Sequence, residues 1–362
     1  MEQHLPGQQP TKRVAILVES AFEDSEFLIP YNALQQAGAD VKILGSRGQV
    51  PYAGKQGRIS INADASTAEV LARSFDAICI PGGMAPDTMR TNLRTVHLVR
   101  DALQQGRLVA AICHGPQVLI EGDLLRGKNA TGFRAIRKDI QNAGATYIDA
   151  PLVEDGNLLT ARRPGDLPIF ATALLQRLGL EIEGKKLYDI NNVEVPWWQV
   201  AEYWGGNSKG QITEAIEHAF QDEQYAADMC LQHGQKVGDK GLQTIYQDLG
   251  DEARQHMQLL TRRLHDLGGN LQPANQDGAR EARQDWHNIH DSQAVLLHVL
   301  NHLQARITNV YQMSSTLTDP ITVAILDHME VSLARSEQNL VNALQQRLLG
   351  ATIESTRKQA RP

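Results

Sequence analysis

Two patterns of apolar spacing divide the chain. Up to about residue 180, short apolar runs alternate with segments whose apolar residues recur at helical spacing. The runs are Val14–Val18, Val41–Leu44, Ala77–Ile80, Leu108–Ile112, Thr146–Ile148 and Asn157–Thr160. Between them lie helix-compatible stretches such as Ile29–Ala37, Val96–Gln105 and Leu167–Leu178, each closed by a glycine: Gly38, Gly106 and Gly179. Glycine just past the last periodic residue is a helix stop. This alternation predicts an α/β domain, a parallel sheet with helices on both faces.

Beyond Gln211 the β-branched clusters vanish and four long helix-compatible segments follow, about Ile212–Lys236, Leu242–Leu267, Ala279–Met313 and Pro320–Leu349. Asp319 stands as an N-cap ahead of Pro320 at a first helical position. An all-α four-helix bundle is expected. Between the halves, residues 181–209 combine Pro196, Gly205, Gly206, Asn207 and Ser208 with Trp197, Trp198, Tyr203 and Trp204. A purely flexible linker has no need of tryptophans, so this segment is expected to pack on a domain, with a partner-binding patch as the other reading. The expected organisation is an arm at 1–11, an α/β domain at 12–180, an aromatic-rich linker at 181–209, a bundle at 210–350 and a frayed tail at 351–362.

A chain of 362 residues with 42% hydrophobic content has room for two such cores. Its net charge of −7 gives no general reason to expect a nucleic-acid or membrane partner. The N-terminal stretch MEQHLPGQQPTKR has no apolar signal segment and reads as a disordered arm. The three cysteines, Cys79, Cys113 and Cys230, are far apart and form no CxxC pair, so a reducing, cytoplasmic setting is expected.

Candidate chemistry concentrates at Ala111-Ile112-Cys113-His114-Gly115-Pro116. Cys113 ends an apolar run and precedes a helix-compatible segment, a place where a sharp turn exposes a nucleophile above a helix N-terminus. The helix dipole is expected to lower the thiol pKa, and His114 to act as acid/base or to hold the thiolate in an ion pair. Cys79, inside Ala77-Ile78-Cys79-Ile80, reads as plain core.

Over about residues 12–180 the chain resembles the PfpI family of the class I glutamine-amidotransferase-like superfamily. The resemblance rests on Phe22-Glu23-Asp24-Ser25-Glu26-Phe27, Pro81-Gly82-Gly83-Met84-Ala85-Pro86-Asp87, the Ala111–Pro116 elbow and Asp155-Gly156-Asn157-Leu158-Leu159-Thr160-Ala161-Arg162. It implies a flavodoxin-like sheet and a cysteine-dependent hydrolase or stress protein that needs no cofactor. By resemblance Glu26 is the carboxyl that hydrogen-bonds the nucleophilic sulfur, which requires it to be protonated, since a carboxylate beside a thiolate repels it. Without the resemblance, Glu26 reads as part of a solvated acidic turn. The resemblance also assigns the oxyanion hole to the N–H groups of Gly83 and His114. It assigns a third catalytic acid, donated across a subunit interface, to Asp87, where archetypal members carry the longer glutamate. A homo-oligomer acting on small reactive carbonyls, or on peptide or protein substrates, is implied. Peptidase, glyoxalase and deglycase activities all start with sulfur attacking a carbonyl, and a non-catalytic sensor or chaperone with an oxidisable Cys113 is the alternative.

In the bundle, helix phase places Glu223 among Ile212, Ile216, Ala219, Phe220, Ala227 and Cys230, and places Glu252 and His256 with Ile245, Leu249, Leu260 and Leu267. This is similar to ferritin-like bundles, whose di-iron site draws Glu and Glu-x-x-His ligands from facing helices. Glu223, Glu252 and His256 are therefore candidate ligands for iron or zinc, although Glu252 and His256 are spaced i, i+4. A bundle that serves only for assembly, its polar residues satisfying one another, is the other reading. His287, His290, His298 and His302 with Asp291 form a second stripe, either an interfacial metal site or a solvated face opposite Ile289, Leu296, Leu300, Leu303 and Ile307.

Overall fold

A computed structural model describes residues 11–270 and 292–359. Residues 1–10 of the expected arm, positions 287, 289, 290 and 291 of the third bundle segment, and residues 360–362 of the tail lie outside these. The chain divides into two compact units, Met1–Ser208 with Thr318–Pro320, and Lys209–Leu317 with Ile321–Pro362.

In the first unit, β1 (Arg13–Leu17), α1 (Asp24–Gln36) and β2 (Asp40–Gly45) lead into a hairpin of β3 (Pro51–Ala53) and β4 (Ser60–Asn62), followed by β5 (Ala65–Ser66). Next come β6 (Ala77–Ile80), α2 (Ala85–Met89), α3 (Leu93–Gln104), β7 (Leu108–Ile112) and α4 (Pro116–Glu121). The remainder is β8 (Asn129–Ala130), α5 (Arg137–Asn142), β9 (Thr146–Tyr147), β10 (Leu152–Asp155), β11 (Leu158–Ala161), α6 (Leu167–Leu178) and α7 (Trp197–Tyr203). Seven strands form one sheet in the order β10-β11-β7-β6-β1-β2-β5. Its five central strands, taken in chain order, run 2-1-3-4-5 and are all parallel, the flavodoxin-like arrangement. β6 and β7 are buried at every residue, as strands covered on both faces must be.

Two details depart from the sequence reading. Thr146–Ile148 was expected in the main sheet, but β9 pairs with β8 in a separate two-stranded ribbon. The rim is instead β10, antiparallel to β11 across the turn at Gly156. The aromatic segment belongs to the first unit: Trp204 and Ala201 join the core under the sheet, and Trp197 packs with Ile169 and Val195.

In the second unit, α8 (Lys209–Lys236), α9 (Lys240–Asp266), α10 (Ser292–Ser314) and α11 (Pro320–Gln359) supply an all-helical fold. Asp239 caps α9 by accepting a hydrogen bond from the Leu242 N–H at 3.0 Å. α11 runs past the expected end at Leu349. No helix among the described residues is long and apolar enough to cross a membrane.

α1 ties the first unit together, because Phe27 is fully buried with its ring centroid 5.3 Å from both Phe22 and Tyr31. Phe27→Ala is expected to destabilise this unit by about 3–5 kcal/mol, read from urea unfolding of the variant against the parent.

Candidate active site

Parallel α/β sheets open a crevice beyond the carboxyl ends of their strands where the strand order reverses, here between β1 and β6. Three segments converge there: Phe22–Phe27 after β1, Pro81–Asp87 after β6, and Cys113–Pro116 after β7. Cys113 itself adopts φ +61°, a left-handed conformation that a side chain resists. It is held from both sides, its N–H donating to the Ala161 carbonyl at 3.0 Å and its own carbonyl accepting from the Phe133 N–H at 2.9 Å. Gly115 completes the elbow, for a Cβ there would lie 2.5 Å from the Ile80 carbonyl oxygen.

Glu26, in the first turn of α1, is completely buried. Its Oε2 accepts a 2.6 Å hydrogen bond from the Gly82 N–H, while Oε1 has no backbone or other side-chain oxygen or nitrogen as partner. Gly82 explains why the two chemistries can meet. A Cβ on it would fall 2.7 Å from both Glu26 Oε2 and Cys113 Cβ, so glycine alone leaves room for carboxyl and thiol together. The acidic turn is thus not solvated: Glu23, Asp24 and Glu26 are all buried.

Burial, reinforced by nearby Glu23, pushes the Glu26 carboxyl up to about 8, so at neutral pH it is mostly protonated. Burial also raises the Cys113 thiol well above its ordinary value, with an ionised Glu26 adding to the effect and the Gly83 N–H opposing it. The expected depression of the thiol by a helix dipole is therefore not what prevails. α4 is only six residues long, and the sulfur beside it is buried. His114 Nδ1 lies 3.3 Å from Cys113 Sγ. Burial, helped by the charge of Lys55 and resisted by Asp87, lowers the imidazole pKa, leaving it neutral and able to accept a proton.

Gly83 has φ +74°, and it points its N–H at the sulfur; the His114 N–H has no acceptor among the described residues. Asp87 is exposed in the first turn of α2 and makes no hydrogen bond to His114 within the chain. Sequence reasoning missed Lys55. Asp24 accepts hydrogen bonds from the N–H groups of Gln56 (2.7 Å), Arg58 (3.0 Å) and Ile59 (3.2 Å), clamping that loop. The clamp sets Lys55 3.5 Å from buried Glu23 and within electrostatic range of His114. The available signal was Asp24 itself, an acidic residue two positions before Glu26 in the same motif.

The DJ-1/PfpI family model matches residues 12–177. Protein/nucleic acid deglycase 2 of Escherichia coli is 41% identical over 170 residues, which are 47% of this chain and 99% of that protein. Deglycase PfpI of Pyrococcus furiosus is 40% identical over 155 residues, 43% of this chain and 92% of that one. The chain belongs to the DJ-1/PfpI family. A ferritin-like domain model matches residues 213–348. A crystal structure of a two-domain protein from Anabaena variabilis, containing DJ-1/ThiJ/PfpI-like and ferritin-like domains, superposes with TM-score 0.85 at 43% identity, covering 93% of this chain and 96% of that one. A DJ-1/PfpI unit joined to a ferritin-like unit is thus an architecture shared with another protein.

Within the ferritin-like unit, the three candidate ligands separate into two groups. Glu223 and His256 meet, with Nδ1 of His256 3.2 Å from Glu223 Oε2. Glu252 turns instead to α11, accepting hydrogen bonds from the hydroxyls of Ser332 and of Ser336, the latter at 2.8 Å. The Glu223 carboxylate is also gripped by Arg306 of α10, whose Nη2 donates to Oε2 and whose Nε lies 3.3 Å from Oε1. Both oxygens that would ligate a metal are therefore already committed, and the residues present do not fit a di-iron centre. Among the described residues no three His, Cys, Asp or Glu side chains gather in a way that could hold a metal ion. Of the histidine stripe, His302 is partly buried, which lowers its pKa to about 4, and its ring lies 4.8 Å from that of Tyr225; His287, His290 and Asp291 lie outside the described residues.

Glu26 fixes the sign of one pH effect. A carboxyl neutral in the fold up to about pH 8 but ionised from about pH 4.5 in the unfolded chain contributes stability that is complete at acid pH and is lost as pH rises between the two. Glu26→Gln should remove this loss. Unfolding free energies from urea titrations between pH 5 and 8 are expected to fall more steeply for the parent than for the variant, by up to about 1.4 kcal/mol per pH unit. Asp24→Ala, which frees three backbone donors of the 56–59 loop, is expected to cost about 1–3 kcal/mol and to raise hydrogen exchange at Gln56, Arg58 and Ile59.

Proposed function

We propose that the first unit is a PfpI-type enzyme that adds the Cys113 sulfur to the carbonyl carbon of small reactive aldehydes and ketones, or of the glycation adducts they form. The observation that carries this reading is the pairing of a neutral, buried Glu26, one oxygen fixed by the Gly82 N–H and the carboxyl hydrogen-bonded to the sulfur, with a thiol that has neutral His114 3.3 Å away as its base. The names of the relatives, two of them deglycases, support the same class.

The resting site holds thiol and imidazole, both uncharged. As sulfur attacks, the S–C bond forms, the π electrons of the carbonyl move to oxygen, and the thiol proton passes to Nδ1 of His114. The N–H groups of Gly83 and His114 receive the new oxyanion. The imidazolium then returns its proton to that oxygen, giving a neutral hemithioacetal. Glu26, protonated, donates to the sulfur and positions it; it carries no charge that would oppose the attack. No cofactor enters this sequence.

Asp87, exposed and without an intrachain bond to His114, suits a role completed by a second copy of the chain, so the reading includes a homo-oligomer. Three free thiols fit a reducing, cytoplasmic setting.

The test is turnover of methylglyoxal, a glycated amino acid and a peptide amide by the parent and by Cys113→Ala. Parent activity on the first two, reduced at least about 10³-fold in the variant, is the expected result. Activity on the amide alone would move the assignment to a peptidase, and parent activity on none of them would favour the sensor. Asp87→Ala is expected to lower turnover while leaving the thiol's alkylation rate by iodoacetamide within about two-fold, since that residue touches neither sulfur nor Glu26.

A further inference from the structure

Arg306 occupies an unusual place. It lies on the buried stripe of α10 formed by Leu296, Val299, Leu303 and Val310, and is itself only 3% exposed. Glu223 of α8 and His256 of α9, 1% and 2% exposed, face it from two other helices. His302, one turn before Arg306, has a buried Nδ1 with no hydrogen-bond partner and feels the charges of both Arg306 and Glu223. The ring of His328 on α11 approaches that of His256 with centroids 6.4 Å apart. One buried carboxylate, with the His256 imidazole at one of its oxygens, thus meets a single cationic centre, and that centre is a guanidinium.

We infer that Arg306 takes the place of the metal ion in this ferritin-like bundle, so that a covalently tethered cation does the charge-neutralising work that iron does in metal-binding members of the fold. Three features carry the inference. The planar fork of the guanidinium engages both oxygens of Glu223, as a chelated ion would. Its charge is permanent, so the buried carboxylate is neutralised whatever the metal supply. The second carboxylate that a di-iron site needs, Glu252, is held by two serines of α11. Loss of the guanidinium would leave the Glu223 carboxylate buried beside the His256 imidazole with no cation to balance it.

The experiment uses the full chain, stripped with EDTA and titrated with Co²⁺, read by visible d–d absorption and by the thermal midpoint of the bundle. The parent should show no d–d band and no midpoint shift with Co²⁺ or with EDTA. Arg306→Ala should melt several degrees lower, gain nothing from Co²⁺, and recover part of that loss in Arg306→Ala/Glu223→Gln, which removes the stranded carboxylate. Should Arg306→Ala fail to fold, Arg306→Met/Glu223→Gln, which removes both charges, should fold and stay cobalt-silent. A parent protein whose midpoint rises with Co²⁺ or Fe²⁺, and loses that rise in Glu223→Gln, overturns the inference. So does an Arg306→Ala protein as stable as the parent.

Discussion

The first unit is organised around one carboxyl placed where burial opposes its ionisation. Glu26 sits fully buried at the start of α1, fixed by the Gly82 N–H at 2.6 Å, with the sulfur of Cys113 close enough for the two groups to shift one another. Carboxyl and thiol cannot both ionise in so small a space, and the desolvation that raises each decides that the resting pair is neutral. Much nearby serves this constraint: Gly82 by having no side chain, the elbow by accepting a positive φ at Cys113, and the 2-1-3-4-5 strand order by bringing three loops to one crevice. The reactivity proposed for Cys113 is that of a group activated only when substrate arrives.

The second unit resolves a comparable difficulty by a different route. A carboxylate buried among helices is costly unless paired, and Glu223 is paired with a guanidinium of matching geometry. Both units therefore contain a buried glutamate close to a histidine or cysteine. In the first the charge is suppressed by protonation, and in the second it is compensated. That difference follows from the neighbours: Glu26 has acidic Glu23 beside it and a cation, Lys55, only at a distance, whereas Glu223 has Arg306 in direct contact.

Much of the architecture was legible because it is written in local periodicity. The buried strands, the helix ending at Leu178 before Gly179, and the change to helices alone after residue 209 all follow from apolar spacing. Where long-range pairing decides, local pattern fails. Thr146–Tyr147 has strand character, but its partner is Asn129–Ala130 and not the main sheet, while the rim strand Leu152–Asp155 carries no distinctive pattern. The elbow at Cys113 was readable from its glycine and proline, yet the sign of its thiol shift was not, because desolvation depends on how deeply the sulfur is packed. Lys55 and Arg306 were missed for related reasons. Lys55 reaches the site through hydrogen bonds from its loop to Asp24, and Arg306 reads as an exposed charge when the apolar face is drawn through Leu300 and Ile307, whereas Val299, Leu303 and Val310 are the residues buried beside it.

The rims of the sheet set a limit on how the first unit can associate. β5, at one edge, is two residues long, and at the other edge the end of β10 is tied down where Asp155 accepts from the Asn129 N–H at 2.9 Å and pairs with Lys128. Neither edge offers a long open ladder to another chain, which protects the unit from runaway strand addition. Contact that spares the edges of this sheet runs through side chains on helices and loops. Such contacts are graded by shape and charge, and can be strengthened or loosened by single substitutions without disturbing the sheet that holds the cysteine in place.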